Sequence, residues 1–400
     1  MVSTHDVRVC AEEAENCFKH LHRHPEIGFE EKETPEFIAR RLESYGFGKI
    51  RTGVGKTGVE ADLIVEGAPK ALMLRADMDA LPLQEVTGLD YASEVQGKMH
   101  ACGHDAHTSM LLGAAKYLIS HRDELRGSVR FVFQPAEEGP MPGGAAAMIE
   151  DGVLEGVGAC LAAHVSPLYP VGTVMVQAKE AMASTDKFTV VIRGRGGHGA
   201  MPHAAVDPTP ALSELLSAIN LLPARELEPL DACVVTVGTI NTVSSAWNVI
   251  PGVIELAGTF RAFSPEVRET VSRRIEELAK GICAAHRCTA EYIREKGYEP
   301  TVNDPAMVGF VLQTAAKFLG EEHAELHPKP FMTGEDAGAY FRKVPGALIW
   351  VGCTAAGDLR ADIPNLHNPA FKVDPDTLPV GVALHVNNAL TWFEKARQPG

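Results

Sequence analysis

The order of strand-like and helix-like segments changes character in the middle of this chain. Before residue 184 and again after residue 297, short apolar strands alternate with helices, which is typical of an α/β sheet covered by helices on both faces. Between these points the order strand-helix-strand-strand-helix-strand indicates a ferredoxin-like α+β domain. The pattern therefore predicts a discontinuous α/β domain, residues 1–183 and 298–400, with a domain inserted at residues 184–297.

The individual elements follow from hydrophobic periodicity and from turn residues at their ends. Strands are predicted in both parts of the chain, at residues 58–65, 71–75, 128–134, 185–194, 233–240, 254–260, 289–294 and 346–352. Helices are predicted between them, at residues 11–22, 33–45, 108–120, 207–222, 266–286 and 305–319.

Composition excludes several classes of partner. The net charge is −15 over 400 residues, whereas nucleic acids and anionic membranes require a basic face. No apolar run is long enough to span a bilayer, and the first residues lack the pattern of a secretory signal. The eight cysteines show no disulfide-like spacing. We therefore expect a cytoplasmic protein with reduced thiols and no nucleic-acid or membrane partner.

The octapeptide at residues 100–107, HACGHDAH, contains one thiol and three imidazoles. Cys102 and His104 flank Gly103, which allows the backbone to turn both side chains toward one point. Thiolate and neutral imidazole are ligands that zinc and its first-row neighbours favour, so the segment predicts a metal site at a helix entrance. The alternative is a reduced core cysteine beside surface histidines.

Carboxylates follow two predicted strands. Asp77 and Asp79 come after the strand at residues 71–75, and Glu137 and Glu138 follow the strand at residues 128–134. Side chains at the carboxyl ends of strands lie where α/β sheets bind ligands. Two adjacent carboxylates can divide their roles, one binding metal and the other moving a proton. The alternatives are a capped turn for the aspartates and a solvated acidic pair for the glutamates.

Two further histidines extend this group. His164 is predicted at the end of an apolar strand, and His367 lies in a loop between prolines. Each alone is a weak signal, since a single histidine at a strand end is more often structural. With Cys102, His104 and Glu138 they form a five-ligand set that suits a pair of metal ions. Such sites hold and polarise water, which points to hydrolysis.

A series of motifs then resembles a known family. The strings HRHPEIGFEE, RADMDALP, MHACGHDAHT, FQPAEEG, AAHVSP, GRGGHGAMPH, NVIPG, GTFR and NLHNP occur in this order. They are similar to those of the metal-dependent amidohydrolases that include hippurate hydrolase, N-acyl-amino-acid deacylases and auxin-conjugate hydrolases, within the aminoacylase and carboxypeptidase clan. The resemblance covers residues 22–369. It implies a zinc-peptidase-like catalytic domain with a mixed sheet, and an inserted lid domain that dimerises.

The resemblance also implies roles for single residues in the catalytic domain. The implied ligands of two divalent metal ions are Cys102, His104, Glu138, His164 and His367. Zinc is the first expectation, with manganese, cobalt or nickel as alternatives. Glu137 would be the general base, and Asp79 would orient a metal ligand. Distant relatives have a ligating histidine where Asp77 stands, so Asp77 is left out of the metal set.

The inserted domain supplies further candidates. Residues 194–199, GRGGHG, match a dinucleotide-binding pattern, but no helix follows at once, which argues against that function. The resemblance instead implies that His198, from the partner subunit of a homodimer, stabilises the oxyanion. Asn248 and Arg261 would hold the substrate carboxylate, because an arginine fork pairs well with that group. The alternative for Arg261 is a salt bridge at a strand end.

Together these features predict hydrolysis of N-acyl-amino acids, small molecules in which an acyl group is joined to an amino acid. The implied reaction is attack by metal-bound hydroxide, with Glu137 acting as the base and later as the acid. An aromatic acyl group, as in hippurate, is the first expectation from the resemblance. The rival predictions are a dipeptidase, an aminopeptidase or an N-acetyl-diaminopimelate-type deacetylase with the same metal site, an inactive scaffold, and a nucleotide-dependent oxidoreductase.

Overall fold

The computed structural model describes residues 1–68, 70–242, 246–355, 357–358 and 362–395, with side chains up to residue 393. The chain forms two compact units. The larger consists of Met1–Ala181, Thr301–Pro330 and Asp336–Gly400, and the smaller of Met182–Pro300 and Phe331–Glu335. The segment Phe331–Glu335 belongs to the smaller unit because the Ala183 N–H donates to the carbonyls of Phe331 and Thr333. The division at residues 184 and 297 remains a prediction.

The helices of the described residues are α1 Arg8–Arg23, α2 Glu33–Tyr45, α3 His104–Ser120, α4 Gly144–Glu150, α5 Thr209–Glu226, α6 Pro265–Ala285, α7 Pro305–Leu319, α8 Gly338–Phe341 and α9 Thr377–Lys395. The strands are β1 Ile50–Val54, β2 Gly58–Leu63, β3 Ala71–Asp77, β4 Val129–Gln134, β5 Val157–Pro170, β6 Val174–Gln177, β7 Glu180–Met182, β8 Asp186–Arg193, β9 Gly197–His198, β10 Cys233–Thr242, β11 Val249–Ile250, β12 Val253–Ala262, β13 Thr289–Lys296, β14 Thr301–Val302, β15 Ala324–His327 and β16 Gly346–Thr354.

The larger unit is built on an eight-stranded sheet with the order β1-β2-β4-β3-β5-β16-β6-β15. Strands β4, β3, β5 and β16 pair in parallel at its centre, whereas β1, β2 and β4 pair antiparallel, as do β16 and β6. β3 and β4 are joined through α3, as parallel neighbours require a crossover connection. The mixed sheet confirms the predicted α/β fold.

The core of the larger unit is formed by this sheet and by α1, α2, α3, α7 and α9. Every residue of β4 and β16 is buried, which is expected for central strands covered on both faces. Their sequences, VRFVFQ and GALIWVGCT, are rich in the β-branched and aromatic residues that such strands favour. α7 begins where the Asp304 carboxylate accepts the N–H groups of Ala306 and Met307.

The smaller unit contains a four-stranded antiparallel sheet with the order β10-β12-β8-β13. Its chain order, β8-α5-β10-β12-α6-β13, is the predicted split βαβ plan. Phe188, Val190 and Ile192 of β8 pack with α5 and α6 in one core, while many residues of β10 and β13 on the other face are exposed. The expected roles of this unit as a lid and in dimerisation stay predictions.

Several elements, such as the long helix α9, were not predicted, and two differences from the sequence-based expectation concern candidate site residues. α3 starts at His104 rather than at residue 108, so the second half of the octapeptide is helical. β5 continues to Pro170, and His164 therefore lies within the strand rather than at its end. In the described part of the chain, no helix combines the length and the apolar character needed to cross a bilayer.

The packing of α3 against its neighbours leads to a stability prediction. A Cβ atom at Gly113 would lie 2.7 Å from Val382 Cγ2 and 3.1 Å from the Cys10 carbonyl oxygen, whereas the exposed Gly309 of α7 has free space around it. We expect Gly113→Ala to lower the free energy of unfolding by about 1–3 kcal/mol through overpacking. Gly309→Ala, the matched control, should raise it by up to about 1 kcal/mol. Urea denaturation measures both, and equal effects would contradict the close helix packing.

Candidate metal centre

The carboxyl-terminal ends of the central strands gather polar side chains at one edge of the sheet of the larger unit. β3 ends at Asp77, and β4 ends three residues before Glu137. The two strands are parallel neighbours, with Asp77 paired to Gln134, so the residues that follow them lie side by side. α3 begins at His104 close to this edge, because its ring nitrogen Nδ1 lies 2.9 Å from the Asp79 carbonyl oxygen.

The five predicted ligands come together in two overlapping groups. Potential ligand atoms of Cys102, His104 and His164 lie within 4.8 Å of one another, and so do those of Cys102, Glu138 and His367. Cys102 belongs to both groups. A thiol, imidazoles and a carboxylate form a ligand set that suits zinc and its first-row neighbours.

Gly103, between two of these ligands, has φ of +85°, and a Cβ atom there would lie 2.4 Å from Val165 Cγ2. The left-handed backbone and the close contact both require glycine. On the other side of the group, His367 is brought in by the bond from its N–H to the Ala101 carbonyl, at 2.8 Å. Its Nε2 lies 2.8 Å from Glu138 Oε1.

The two buried imidazoles are oriented as metal ligands usually are. His104 Nδ1 lies close to both the carbonyl and the carboxylate of Asp79, and His164 Nδ1 donates to the Val165 carbonyl at 2.7 Å. With Nδ1 donating to these acceptors, each Nε2 is directed to the cluster, where a bound metal ion would take the place of any proton on that nitrogen. His164 Nε2 lies 3.5 Å from Cys102 Sγ, and His104 Nε2 has no hydrogen-bond partner among the described residues. A buried nitrogen without a partner fits a site that holds metal.

Asp79 holds the turn that carries both glutamates. Its Oδ1 accepts the Glu137 N–H at 3.0 Å and its Oδ2 accepts the Glu138 N–H at 2.9 Å. Glu138 lies beside His367, whereas Glu137 Oε2 is 3.9 Å from His104 Nε2. Glu138 thus pairs with His367, while both carboxylates lie within 4.8 Å of a ring nitrogen of His104.

The pKa values of the clustered side chains are set by burial and by the neighbouring charged groups. Burial raises the pKa of the Cys102 thiol well above its usual range, and the charges of Glu138 and Glu137 add to the shift. Burial alone lowers the pKa of His104, but the charge of Asp77 and the hydrogen bond to Asp79 outweigh it and raise that pKa to about 10. Burial, reinforced by His107, holds the pKa of His164 well below its usual range, so that this imidazole is neutral.

A second layer of polar residues, whose mutual contacts the sequence analysis did not predict, supports the proposed ligands. His107 donates from Nδ1 to Asp77 Oδ1 at 2.6 Å, and its Nε2 accepts the Val165 N–H at 2.8 Å. The Val165 carbonyl in turn accepts the His164 N–H. Residues Asp77, His107 and Val165 thereby form a chain that fixes the ring of His164. The spacing of His104 and His107, three residues apart on one helix, was the signal in the sequence.

Arg75 also belongs to this layer and joins three of its side chains by hydrogen bonds. Its guanidinium donates to Asp77 Oδ2 at 2.8 Å, to Gln134 Oε1 at 2.9 Å and to Asp336 Oδ1 at 3.0 Å. Arg75 and Asp77 are fully buried. Burial would raise the pKa of Asp77, but the charges of His104 and Arg75, with the hydrogen bond from His107, outweigh it and hold that pKa well below its usual range, so Asp77 stays charged. Asp77 therefore orients neighbouring side chains. Its omission from the ligands stays a prediction, since potential ligand atoms of Asp77, His104 and His107 also lie within 4.8 Å of one another.

The three remaining predicted residues lie in the smaller unit. His198 of β9 pairs with Val249 of β11, and the Gly199 N–H donates to the Asn248 carbonyl at 2.8 Å. His198 and Asn248 are exposed and lie next to each other on this short ribbon. Arg261, in β12, is partly buried, and burial lowers its pKa. Its guanidinium donates to Thr259 Oγ1 at 2.9 Å.

The mixed α/β unit and its group of thiol, imidazole and carboxylate side chains define the protein as a metal-dependent hydrolase. Residues 73–390 match the sequence pattern of peptidase family M20/M25/M40, and the chain therefore belongs to that family. Together with the named activities of its relatives, this membership makes the protein a metal-dependent amidohydrolase.

Three relatives cover nearly the whole chain. The N-acetyl-L-cysteine deacetylase of Bacillus subtilis (strain 168) is 41% identical over 356 residues, covering 89% of this chain and 82% of that protein. IAA-amino acid hydrolase ILR1-like 4 of Arabidopsis thaliana is 40% identical over 380 residues, covering 94% of this chain and 84% of that protein. The crystal structure of a dinuclear metal-binding M20 peptidase from Bacillus subtilis has a TM-score of 0.81 at 34% identity, covering 97% of this chain and 99% of that one.

The supporting layer leads to a prediction for metal affinity. His107→Phe removes the partner of Asp77 and of the Val165 N–H, and so frees the ring of His164. We expect metal affinity to fall about 10- to 100-fold, as is typical when outer-shell partners of a ligand are lost. Competition with a chromophoric chelator measures the change. His121→Phe is the control, since it removes an imidazole from the opposite end of α3, where its Nδ1 lies 2.9 Å from the Tyr117 carbonyl oxygen. Unchanged affinity in His107→Phe would argue against this support.

Proposed function

We propose that this chain hydrolyses the amide bond of N-acyl-amino acids, releasing a carboxylic acid and a free amino acid. The names of the relatives support this substrate class, because one is a deacetylase of N-acetyl-L-cysteine and another a hydrolase of IAA-amino acids. The motif resemblance adds hippurate, with its benzoyl group, as the first aromatic substrate to test. The cytoplasmic location stays a prediction.

The observation that carries the proposal is the presence of Cys102 in both ligand groups. Cys102, His104 and His164 would hold one divalent ion, and Cys102, Glu138 and His367 would hold a second. Zinc is the first candidate, because a thiolate is a soft ligand. When bound, the ions supply positive charge that activates water and polarises the scissile carbonyl.

Glu137 is the residue we propose as the general base. Its backbone is fixed by Asp79, and its carboxylate lies beside the ligand His104 without belonging to either ligand group around Cys102. It would take a proton from the attacking water and later deliver that proton to the nitrogen of the leaving amine. The proton returns to the product, so Glu137 ends each turnover as a carboxylate.

We further propose that the smaller unit contributes to substrate recognition. The Ala200 N–H donates to His198 Nδ1 at 3.0 Å, which leaves the ring proton of a neutral His198 on Nε2. This nitrogen could then donate to the oxyanion that develops on the scissile carbonyl. Arg261 makes no ion pair within the described residues, which favours its proposed role, with Asn248, in holding the substrate carboxylate. As the resemblance implies, His198 would act across a homodimer.

The reaction can be tested with metal-stripped protein resupplied with zinc, manganese, cobalt or nickel in turn. We expect metal-dependent release of amino acid from N-benzoylglycine or N-acetyl amino acids. Glu137→Gln should lower kcat by about 10²- to 10⁴-fold, the usual contribution of a positioned acid–base group. Glu150→Gln, at an exposed glutamate of α4, is the matched control and should be unchanged.

Two results would overturn parts of this proposal. Turnover of dipeptides with a free amino group, and of no acylated substrate, would make the protein a dipeptidase or aminopeptidase. Full activity in Glu137→Gln would remove that residue from the reaction.

The shared ligand predicts an asymmetric loss of metal. Cys102→Ala should deprive both ions of a ligand, whereas His367→Ala leaves Cys102, His104 and His164 together. We therefore expect about two ions per chain in the unchanged protein, about one in His367→Ala, and well below one in Cys102→Ala. Mass spectrometry of the metal content after gel filtration measures this. Cys353→Ala removes another buried thiol and should retain both ions. If Cys102→Ala and His367→Ala retained the same metal content, Cys102 would not be shared.

A further inference from the structure

The motif HRHPEIGFEE contains a buried acid with no role so far. Glu31 is 1% exposed. Its Oε1 accepts the Ala136 N–H at 3.0 Å, and its Oε2 accepts the Thr57 hydroxyl at 2.7 Å. Ala136 immediately precedes the proposed base and the proposed ligand on the same turn. A carboxylate 105 positions earlier in the chain therefore bonds directly to the backbone that presents both glutamates.

The turn needs support because its backbone is strained. Ala136 has φ of +50°, a left-handed conformation that side-chain-bearing residues seldom adopt and that surrounding contacts must maintain. Its carbonyl accepts the Gly144 N–H at 3.0 Å, and its own N–H is held by Glu31. The next two N–H groups, of Glu137 and Glu138, are held by Asp79. Three successive N–H groups thus bond to two buried carboxylates.

Glu31 itself is anchored by the segment that carries it. Residues 26–31 run beside Asp79, since Ile27 bridges to Ala80 and the Ala80 N–H donates to the Glu26 carbonyl at 2.7 Å. The Glu26 carboxylate accepts N–H groups of residues 32–34, at 2.8–3.2 Å, and so caps the start of α2 next to Glu31.

Gly28 allows this segment to approach the turn. A Cβ atom there would lie 2.2 Å from the Gly139 carbonyl oxygen and 2.7 Å from Ala136 Cα. Any side chain at position 28 would push the segment away from the backbone that Glu31 holds.

We infer that Glu31 is a positioning residue for Glu137 and Glu138: its carboxylate fixes the strained turn at Ala136 from which both side chains project. The inference rests on the proposed function for the roles of the two glutamates. Glu31 bonds to the Thr57 hydroxyl and to the backbone N–H of Ala136 rather than to a proposed metal ligand, so it acts on the two glutamates through the backbone.

For such a role, the length of the side chain at position 31 should matter more than its charge. Burial raises the pKa of Glu31 to about 7, against the opposing hydrogen bonds from Thr57 and Ala136. An uncharged glutamine of the same length can accept the Ala136 N–H in the same place. An aspartate keeps the carboxylate but is shorter by one C–C bond, about 1.5 Å, and therefore cannot reach the Ala136 N–H.

The test compares Glu31→Gln with Glu31→Asp, using the exposed neighbour Glu30→Gln as the matched control. In the metal-loaded enzyme we expect Glu31→Asp to lower kcat about 10- to 100-fold, the usual effect of a misplacement of about 1 Å. KM should stay within about threefold, because substrate contacts are unchanged. Glu31→Gln should keep kcat within about threefold of the unchanged enzyme, since it retains the bond to the backbone.

Hydrogen exchange of the peptide that covers residues 135–139 supplies a readout independent of activity. Exchange should accelerate in Glu31→Asp, stay slow in Glu31→Gln and be unchanged in Glu30→Gln. Slow exchange with normal kcat in Glu31→Asp would overturn the inference, as would a loss of kcat in both Glu31 variants without faster exchange. If the unchanged enzyme hydrolyses no N-acyl-amino acid, the proposed function fails, while the exchange data still decide whether Glu31 holds the turn.

Discussion

The carboxylate of Asp79 is the interaction on which the rest of the site depends. It is buried, and it bonds to three backbone or ring groups from two other segments of the chain. One partner is the ring of His104 at the start of α3, and the others are the N–H groups of Glu137 and Glu138 after β4. An aspartate two residues beyond the end of β3 thereby fixes the orientation of a proposed ligand and the course of the turn that carries the two glutamates with proposed roles. Charge-assisted bonds of this kind are the stronger hydrogen bonds in proteins, which suits a residue with three partners.

The parallel pairing of β3 and β4 makes this arrangement possible. Because both strands end at the same edge, their following residues meet without long loops. The same geometry brings several acidic side chains into a small, buried volume, and the fold offsets them with the guanidinium of Arg75 and with a hydrogen bond from His107. Arg75 bonds to Asp77 and Asp336, and His107 bonds to Asp77. Removal of one member of such a buried network would leave another charge without its partner, so the layer is coupled to the ligands in front of it.

The sequence predicted those features that have a local pattern. The α/β fold and the order of strands in the smaller unit follow from periodicity, and the octapeptide with its glycine indicated the cluster around Cys102 and His104. What it missed depends on contacts between distant positions. Asp77 and His107 are 30 positions apart, His107 and Val165 are 58 apart, and Glu31 and Ala136 are 105 apart. None of these contacts produces a periodic pattern in the amino-acid sequence. The expected position of His164 at a strand end was wrong for a related reason: β5 continues because its later residues pair with β16.

The charges around Cys102 support the proposal that a divalent cation binds in this cluster. The Cys102 thiol is buried among carboxylates, and both burial and those charges oppose its ionisation, as the raised pKa expresses. Glu138 behaves differently: burial alone would raise its pKa, but the hydrogen bond from His367 and the charge of His104 outweigh burial and lower that pKa. A divalent ion reverses the balance at the sulfur, since its charge stabilises the thiolate, and metal binding then releases a proton. Proton and metal therefore compete for Cys102. The surrounding carboxylates disfavour the bare thiolate but attract a divalent cation, so the same acidic surroundings that keep the thiol protonated also favour the ion that would deprotonate it.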